Sequence, residues 1–119
     1  MKTLFASDRK FALWSFNASH RQLILRSNPD RIARTVTRVE VYFGHVEFMS
    51  IRPSYSSLRI SEADQGEITE IAARIPDGLR PGGTYLLGRD LRSFVISAKP
   101  AWREAECDFD APSLFDFPA

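Results

Sequence analysis

The sequence predicts a small α+β domain: a mostly antiparallel sheet of about six or seven strands, curled as a small barrel or sandwich, with one helix near residues 64–75. Two observations carry this prediction. Apolar side chains recur with a period of two in residues 11–60 and again in residues 84–98, which is typical of half-buried strands. Between these regions the period changes to that of a helix. Because one helix of about three turns covers little of such a sheet, the sheet must fold on itself to bury its apolar side chains.

The first predicted unit is a β-hairpin. In "FALWSFN", residues 11–17, aromatic and aliphatic side chains alternate, and "QLILR", residues 22–26, is a second run of strand-forming residues. The intervening "ASHR", residues 18–21, has the length and small polar side chains of a hairpin loop. We expect Trp14 to be buried in the core against Val39 and the helix.

The clearest strand signal is "TVTRVEVYF", residues 35–43, in which apolar and polar side chains alternate. The preceding "SNPD", residues 27–30, is a break, because Pro29 disfavours helical angles at the residue before it. Further short runs are predicted strands: 46–52, which would continue as the fourth strand, 58–60, 84–88 and 92–98.

A helix is predicted from the apolar stripe formed by Ile68, Ile71, Ala72 and Ile75. Asp64 with Glu67, or Ser61 with Asp64, has the spacing of a capping box at its start. Pro76 and Gly78 then supply the stop signal.

Composition limits the classes of function. The chain of 119 residues is 44% hydrophobic and has a net charge of +1, which suits a single domain over residues 1–119 and excludes a strongly basic or acidic protein. The lone Cys107 rules out an internal disulfide framework, and with two histidines it leaves too few ligands for structural zinc. We expect no cofactor. The apolar run of "MKTLFAS" is too short for a signal peptide and no stretch is long enough to span a membrane, so a cytoplasmic protein is expected.

The charge is divided unequally along the chain. Residues 1–60 contain ten Lys or Arg and four Asp or Glu, whereas residues 61–119 contain six and eleven. The binding candidates are five arginines of the basic region 21–38 and two aromatic residues of the tail: Arg21, Arg26, Arg31, Arg34, Arg38, Trp102 and Phe109. Since the tail is acidic, pairing within the chain or with a protein partner is favoured, and a nucleic-acid-binding domain using residues 21–38 is the alternative.

The end of the chain, at about residues 100–119, is predicted to be an acidic aromatic tail that docks. Its large apolar side chains are too many for a solvated disordered segment: Trp102, Phe109, Leu114, Phe115 and Phe117. The tail is expected to cover a sheet face or edge next to the basic region, either in its own domain or in a second copy or partner.

No catalytic residue is assigned. Ser19 and His20 are adjacent, but nothing resembling a nucleophile elbow surrounds them, and the pair is interpreted as a hairpin tip. Asn17-Ala18-Ser19 fits the acceptor pattern for glycosylation, but no secretory signal is predicted, so glycosylation is not expected. His45 follows Gly44 between two predicted strands and is interpreted as a turn residue. A small enzyme using His20 or His45 as its base is the second alternative.

Glu40 and Glu47 flank the same turn on two strands predicted to be neighbours, a spacing that paired catalytic carboxylates can have. Arg38 and Arg52 lie near them in sequence. We interpret the four residues as a solvated, charge-balanced face of the sheet.

Two motifs resemble those of a group of small bacterial α+β proteins with no established activity. They are the W-x-F-x-x-S-H start at Trp14 to His20 and the V-E-V-x-F strand at Val39 to Phe43. The resemblance implies the fold and no catalytic or binding role. We therefore expect a non-catalytic protein-binding or accessory module, with a protein partner or self-association, no membrane, and nucleic acid less favoured.

Overall fold

The computed structural model describes residues 2–75 and 83–115, and within these ranges the chain forms ten strands and one helix. In chain order these elements are β1 (Lys2–Ser7), β2 (Phe11–Asn17), β3 (Gln22–Ser27), β4 (Thr37–Phe43), β5 (Phe48–Ser50), β6 (Ser54–Tyr55), β7 (Leu58–Glu62), α1 (Gln65–Ala72), β8 (Thr84–Leu87), β9 (Phe94–Ile96) and β10 (Ala101–Glu106).

The strands form two five-stranded antiparallel sheets. The first sheet has the order β1-β7-β8-β9-β5 and the second has the order β10-β4-β3-β2-β6. The prediction of a mostly antiparallel α+β fold is confirmed. The count of six or seven strands is wrong, and in the described residues the sheets remain separate and do not close into a barrel.

Three strands account for the low count. β1 lies in the N-terminal segment, whose apolar run is too short for a signal peptide. β6 has only two residues, and β10 has the sequence AWREAE, in which six exposed side chains give no apolar alternation. Edge strands of this kind are hard to predict from sequence, because the neighbouring strands bury few of their side chains and apolar patterning is weak.

The main core lies between the two sheets. β3 and β4 contribute alternate residues to it, and their intervening side chains point to the opposite face of the second sheet. The fully buried members of this core include Phe11, Leu23, Leu25, Val41, Phe43, Ile60 and Val95.

The hairpin of β2 and β3 is confirmed. At its tip the side-chain oxygen of Asn17 accepts hydrogen bonds from the backbone N–H groups of Ser19 and His20, at 3.1 and 3.2 Å, and from the Ser19 hydroxyl at 2.8 Å. Asn17 thus shapes the turn, and the Ser19 hydroxyl is used in it.

The expected burial of Trp14 is wrong. Its side chain is 45% exposed, on the opposite face of the second sheet from Phe11, and the guanidinium carbon of Arg26 lies 4.1 Å from its ring centroid. Both faces of β2 carry large apolar side chains, so alternation alone did not indicate which face meets the core. A register shift between Leu13 and Ser15 further alters the alternation.

Trp14→Ala is therefore expected to lower the free energy of unfolding by only about 1 to 2 kcal/mol, mainly through loss of the contact with Arg26. Phe11→Ala, in the same strand but in the core, is the matched comparison and should cost about 3 to 5 kcal/mol. Urea unfolding measures both. Equal losses would contradict the assignment of the two faces.

The predicted strand 46–52 is shortened to β5 and belongs to the other sheet. It pairs with β9, whereas β4 pairs with β3 and β10. His45, with φ of 51°, lies at the turn where the chain leaves the second sheet. Glu40 and Glu47 are consequently in different surroundings, and the predicted solvated pair is wrong: Glu40 is fully buried and Glu47 is exposed.

The helix packs on the outer face of the first sheet. Ile71 is fully buried against Leu86, Phe94 and Ile96, with Ile68 and Ile75 partly buried beside them. Of the two predicted caps the structure has the one at Asp64, whose carboxylate accepts from the N–H of Glu67 at 2.8 Å while the Glu67 side chain accepts from the N–H of Asp64. The predicted stop at 76–78 lies outside the described residues.

Asp64→Ala is expected to lower the free energy of unfolding by about 1 kcal/mol, because it leaves the N–H of Glu67 without its cap. Gln65→Ala, one residue further on and exposed, is the control and should change stability little. Thermal unfolding followed by circular dichroism measures both, and a neutral Asp64→Ala would mean that solvent replaces the cap at no cost.

Candidate interaction site

A protruding hairpin between β3 and β4, residues 28–36, is called the arm below. Asp30 and Thr35 pair across it, with N–H to carbonyl distances of 3.2 and 2.9 Å. The Asp30 carboxylate also accepts from the N–H of Ile32 at 2.8 Å, and Arg34 takes a left-handed conformation with φ of 58°. The tip of the arm is therefore a hydrogen-bonded turn with a defined geometry.

The arm exposes apolar side chains. Ile32 at its tip is 94% exposed and Val36 is 61% exposed, and the nearby Phe109 is 65% exposed. Arg31 and Arg34 flank Ile32 and are also exposed. Isolated exposed apolar residues are ordinary on protein surfaces, but Ile32 is an aliphatic residue held out on an ordered turn between two exposed cations.

A cleft of about 760 Å³ runs between the arm and the segment after β10. The residues that line it are Pro29, Asp30, Arg31, Thr35, Val36, Glu106, Cys107, Asp108 and Phe109. Its lining thus combines the apolar Val36 and Phe109 with side chains of both charge signs.

Phe109 is held beside the arm by Arg38. Residues 108–115, called the tail segment below, lie across the outer face of the second sheet. The Arg38 guanidinium, fully buried, donates to the backbone carbonyls of Asp108, Phe109, Ala111 and Pro112, at 3.3, 2.8, 2.8 and 2.8 Å. Its Nε donates to the side chain of Asn28, in the arm, at 3.1 Å. One side chain therefore joins the arm, the sheet and the tail segment.

Glu40, beside Arg38 and also fully buried, holds the next part of the tail segment. Its Oε1 accepts from the Ser113 hydroxyl at 2.6 Å and from the N–H of Leu114 at 2.9 Å. Its Oε2 accepts from Nε of Arg26 at 2.7 Å and lies 3.8 Å from Nη1 of Arg38. Both carboxylate oxygens are satisfied, as a buried charge requires.

Arg26 completes this buried cluster of two arginines and one glutamate. Burial removes water from its guanidinium and lowers the pKa of Arg26, and the Glu40 carboxylate opposes this shift. The Arg26 guanidinium carbon lies over the Trp14 ring. Since four carbonyl dipoles of the tail segment face Arg38, they offset part of the excess positive charge.

Aromatic contacts end the described part of the tail segment. The ring centroids of Phe115 and Tyr42 are 5.3 Å apart, and the Arg103 guanidinium carbon lies 4.6 Å from the Phe115 ring. Arg103 also donates to the carbonyl of Leu114 at 2.7 Å. Phe117 lies outside the described residues.

The seven binding candidates lie in several places. Arg31 and Phe109 line the cleft together and Arg34 is exposed on the arm, while Arg26 and Arg38 are buried in the charged cluster. Arg21 is at the other end of β3 and pairs with Glu47 at 2.7 Å. Trp102, on β10, packs against Phe5 with ring centroids 5.3 Å apart. The five arginines of residues 21–38 therefore form no continuous surface.

Sequence reasoning missed Ile32 and Val36. An isolated aliphatic residue between two arginines, just after "SNPD", was the available signal, because such a position in a turn is rarely buried. It also missed the burial of Arg38 and Glu40, for which alternation showed only that they share a face.

His20 and His45 are both exposed. In residues 2–75 and 83–115 no group of three or more His, Cys, Asp or Glu side chains is arranged to hold a metal ion. Over the same residues, no helix has the length and apolar character needed to cross a lipid bilayer.

Comparison with known proteins finds no matching family model, no matching curated protein and no matching solved structure. The resemblance to small bacterial proteins stays a prediction.

Proposed function

We propose that this protein is a non-catalytic protein-binding module that engages its partner through the arm and Phe109. The observation that carries the proposal is Ile32, 94% exposed on a turn whose backbone is held by Asp30 and Thr35. Because the turn is already ordered, little conformational entropy is lost at its tip on binding. The predicted cytoplasmic location is part of this proposal.

The partner that fits is a protein with an apolar pocket and an acidic rim. The pocket accepts Ile32, and the rim pairs with Arg31 and Arg34, whose guanidinium groups fork onto carboxylates. Val36 and Phe109 supply apolar contact around the anchor. Apolar anchors surrounded by charged contacts are typical of protein interfaces and not of phosphate-binding surfaces.

The test is affinity capture with immobilised full-length protein from an extract of the cells that produce it. Ile32→Asp places a charge on the anchor and is expected to lower retention of the partner at least about tenfold, a loss that matches a central anchor. Quantitative mass spectrometry of the retained proteins measures the ratio. The partner identified in this way is then tested as a purified protein by calorimetry.

Ala98→Asp is the matched control, since it adds the same charge at an exposed position between β9 and β10. It should retain the partner. Both variants are expected to unfold at the midpoint of the wild type. If no protein is retained more weakly by Ile32→Asp than by Ala98→Asp, the proposed function is wrong.

A further inference from the structure

A second surface, separate from the tip of the arm, is basic and polar. Two adjoining depressions of about 480 and 210 Å³ lie among the loops that follow β1, β5, β6 and β8. Both are lined by Ser57, Gly88 and Arg89. Three exposed cations line them: Arg52, Arg59 and Arg89, called the basic band below.

The cations of the basic band are uncommitted. Within residues 2–75 and 83–115 none of the three takes part in an ion pair. Two exposed carboxylates, those of Asp8 and Asp90, line the same depressions, and Asp90 accepts from the N–H of Arg92 at 2.9 Å. The three cations outnumber these two carboxylates, which leaves the band with a net positive charge.

Between these cations the surface offers hydroxyl groups and open backbone. Ser54, Ser56 and Ser57 are exposed. Gly88, at φ of 149°, lines both depressions, and a Cβ built on it would meet no atom within 4 Å. A ligand can thus approach the backbone here closely, in a conformation that glycine adopts readily.

We propose that the basic band binds the phosphate backbone of a double-stranded nucleic acid without reading its sequence. Arg, Lys and Ser side chains and backbone groups are what phosphate contacts use. The two depressions lined by Arg89 contain none of the exposed large apolar residues, so the band lacks the apolar core of a protein interface. It also lacks the stacking aromatics typical of single-strand binding.

The test is fluorescence anisotropy of the full-length protein with a labelled mixed-sequence DNA duplex and with the RNA duplex of the same sequence. Sequence-independent binding predicts a Kd of about 10⁻⁴ to 10⁻⁶ M, and three phosphate contacts predict a slope of log K against log salt of about −2.7. Binding to either duplex supports the proposal, and the tighter of the two identifies the double helix preferred.

Matched charge reversals test the location. Arg59→Glu with Arg89→Glu is expected to weaken binding at least about tenfold, because it removes two phosphate contacts and adds repulsion. Lys2→Glu with Lys99→Glu makes the same change in net charge at exposed positions at the other end of the sandwich, and should change affinity less than about twofold. If the first pair lowers the unfolding midpoint, Arg52→Gln with Arg89→Gln replaces it.

Three results would overturn the proposal: no salt-dependent binding to either duplex, equal losses in the two charge-reversed pairs, or equal competition by polyglutamate at the same charge concentration. Equal competition by polyglutamate would show that the band binds any polyanion and has no preference for phosphate. Ile32→Asp should leave duplex binding unchanged, so this test is independent of the proposed function.

Discussion

Replacing Glu40 by glutamine is expected to lower the free energy of unfolding by about 3 to 5 kcal/mol. Glutamine keeps the shape of the side chain but removes its charge, leaving the Arg26 and Arg38 guanidinium groups without an anion in a buried site. The contacts with Ser113 and Leu114 also weaken, because a carboxylate is the stronger acceptor. Urea unfolding at neutral pH measures the loss.

Glu47→Gln is the matched control. Glu47 also pairs with an arginine at 2.7 Å, but the pair with Arg21 is exposed on both sides. Water replaces such a pair, so its loss should cost no more than about 1 kcal/mol. If Glu47→Gln lowers the free energy of unfolding as much as Glu40→Gln does, or if neither lowers it, the buried charge of Glu40 stabilises the fold no more than an exposed ion pair does.

Arg38→Met is expected to release the tail segment and to lower the free energy of unfolding by an amount similar to Glu40→Gln, about 3 to 5 kcal/mol. Methionine fills part of the space but donates no hydrogen bond, so four carbonyls of the tail segment and the Asn28 side chain lose their donor. Hydrogen exchange of the backbone amides in residues 108–115 measures the release directly.

Arg38→Lys should not rescue this loss, because an ammonium group has three donors in a compact arrangement and cannot reach five acceptors spread around a planar guanidinium. Arg31→Met, on the exposed arm, is the control and should leave exchange in the tail segment unchanged. Slow exchange of residues 108–115 in Arg38→Met would mean that Glu40, Phe115 and Arg103 hold the segment without Arg38.

Release of the tail segment also bears on the proposed function. Arg38 donates to the carbonyl of Phe109, which lines the cleft beside Val36. An Arg38→Met protein should therefore bind the partner more weakly even though Arg38 does not reach the surface of the arm. It should bind a nucleic-acid duplex as before, since the basic band lies among other loops.

Local chemistry was sufficient to predict several elements. The β2–β3 hairpin, the strand within residues 35–43 and the Asp64 cap each depend on contacts between residues close in sequence. Alternation in β4 also showed that Arg38 and Glu40 share a face. Alternation does not show which segment of the chain covers that face.

The wrong predictions concern which face of a strand is buried and which sheet a strand joins. β2 is apolar on both faces, and only the packing of the first sheet decided that Phe11 and not Trp14 would be buried. β5 follows β4 closely in sequence, and only the pairing of β5 with β9 separated Glu47 from Glu40. Such pairings join residues far apart in the chain, so the sequence around each strand does not predict them.

The sequence by itself determined the α+β class, the antiparallel hairpin, the capped helix and the unequal charge of the two halves. Tertiary structure alone decided that two sheets form, that the tail segment lies over Arg38 and Glu40, and that Ile32 and the basic band stay exposed. The physical reason is that burial depends on which distant segments meet. The same arginine is a solvated surface charge at Arg31 and a buried donor to backbone carbonyls at Arg38, according to whether another segment covers it.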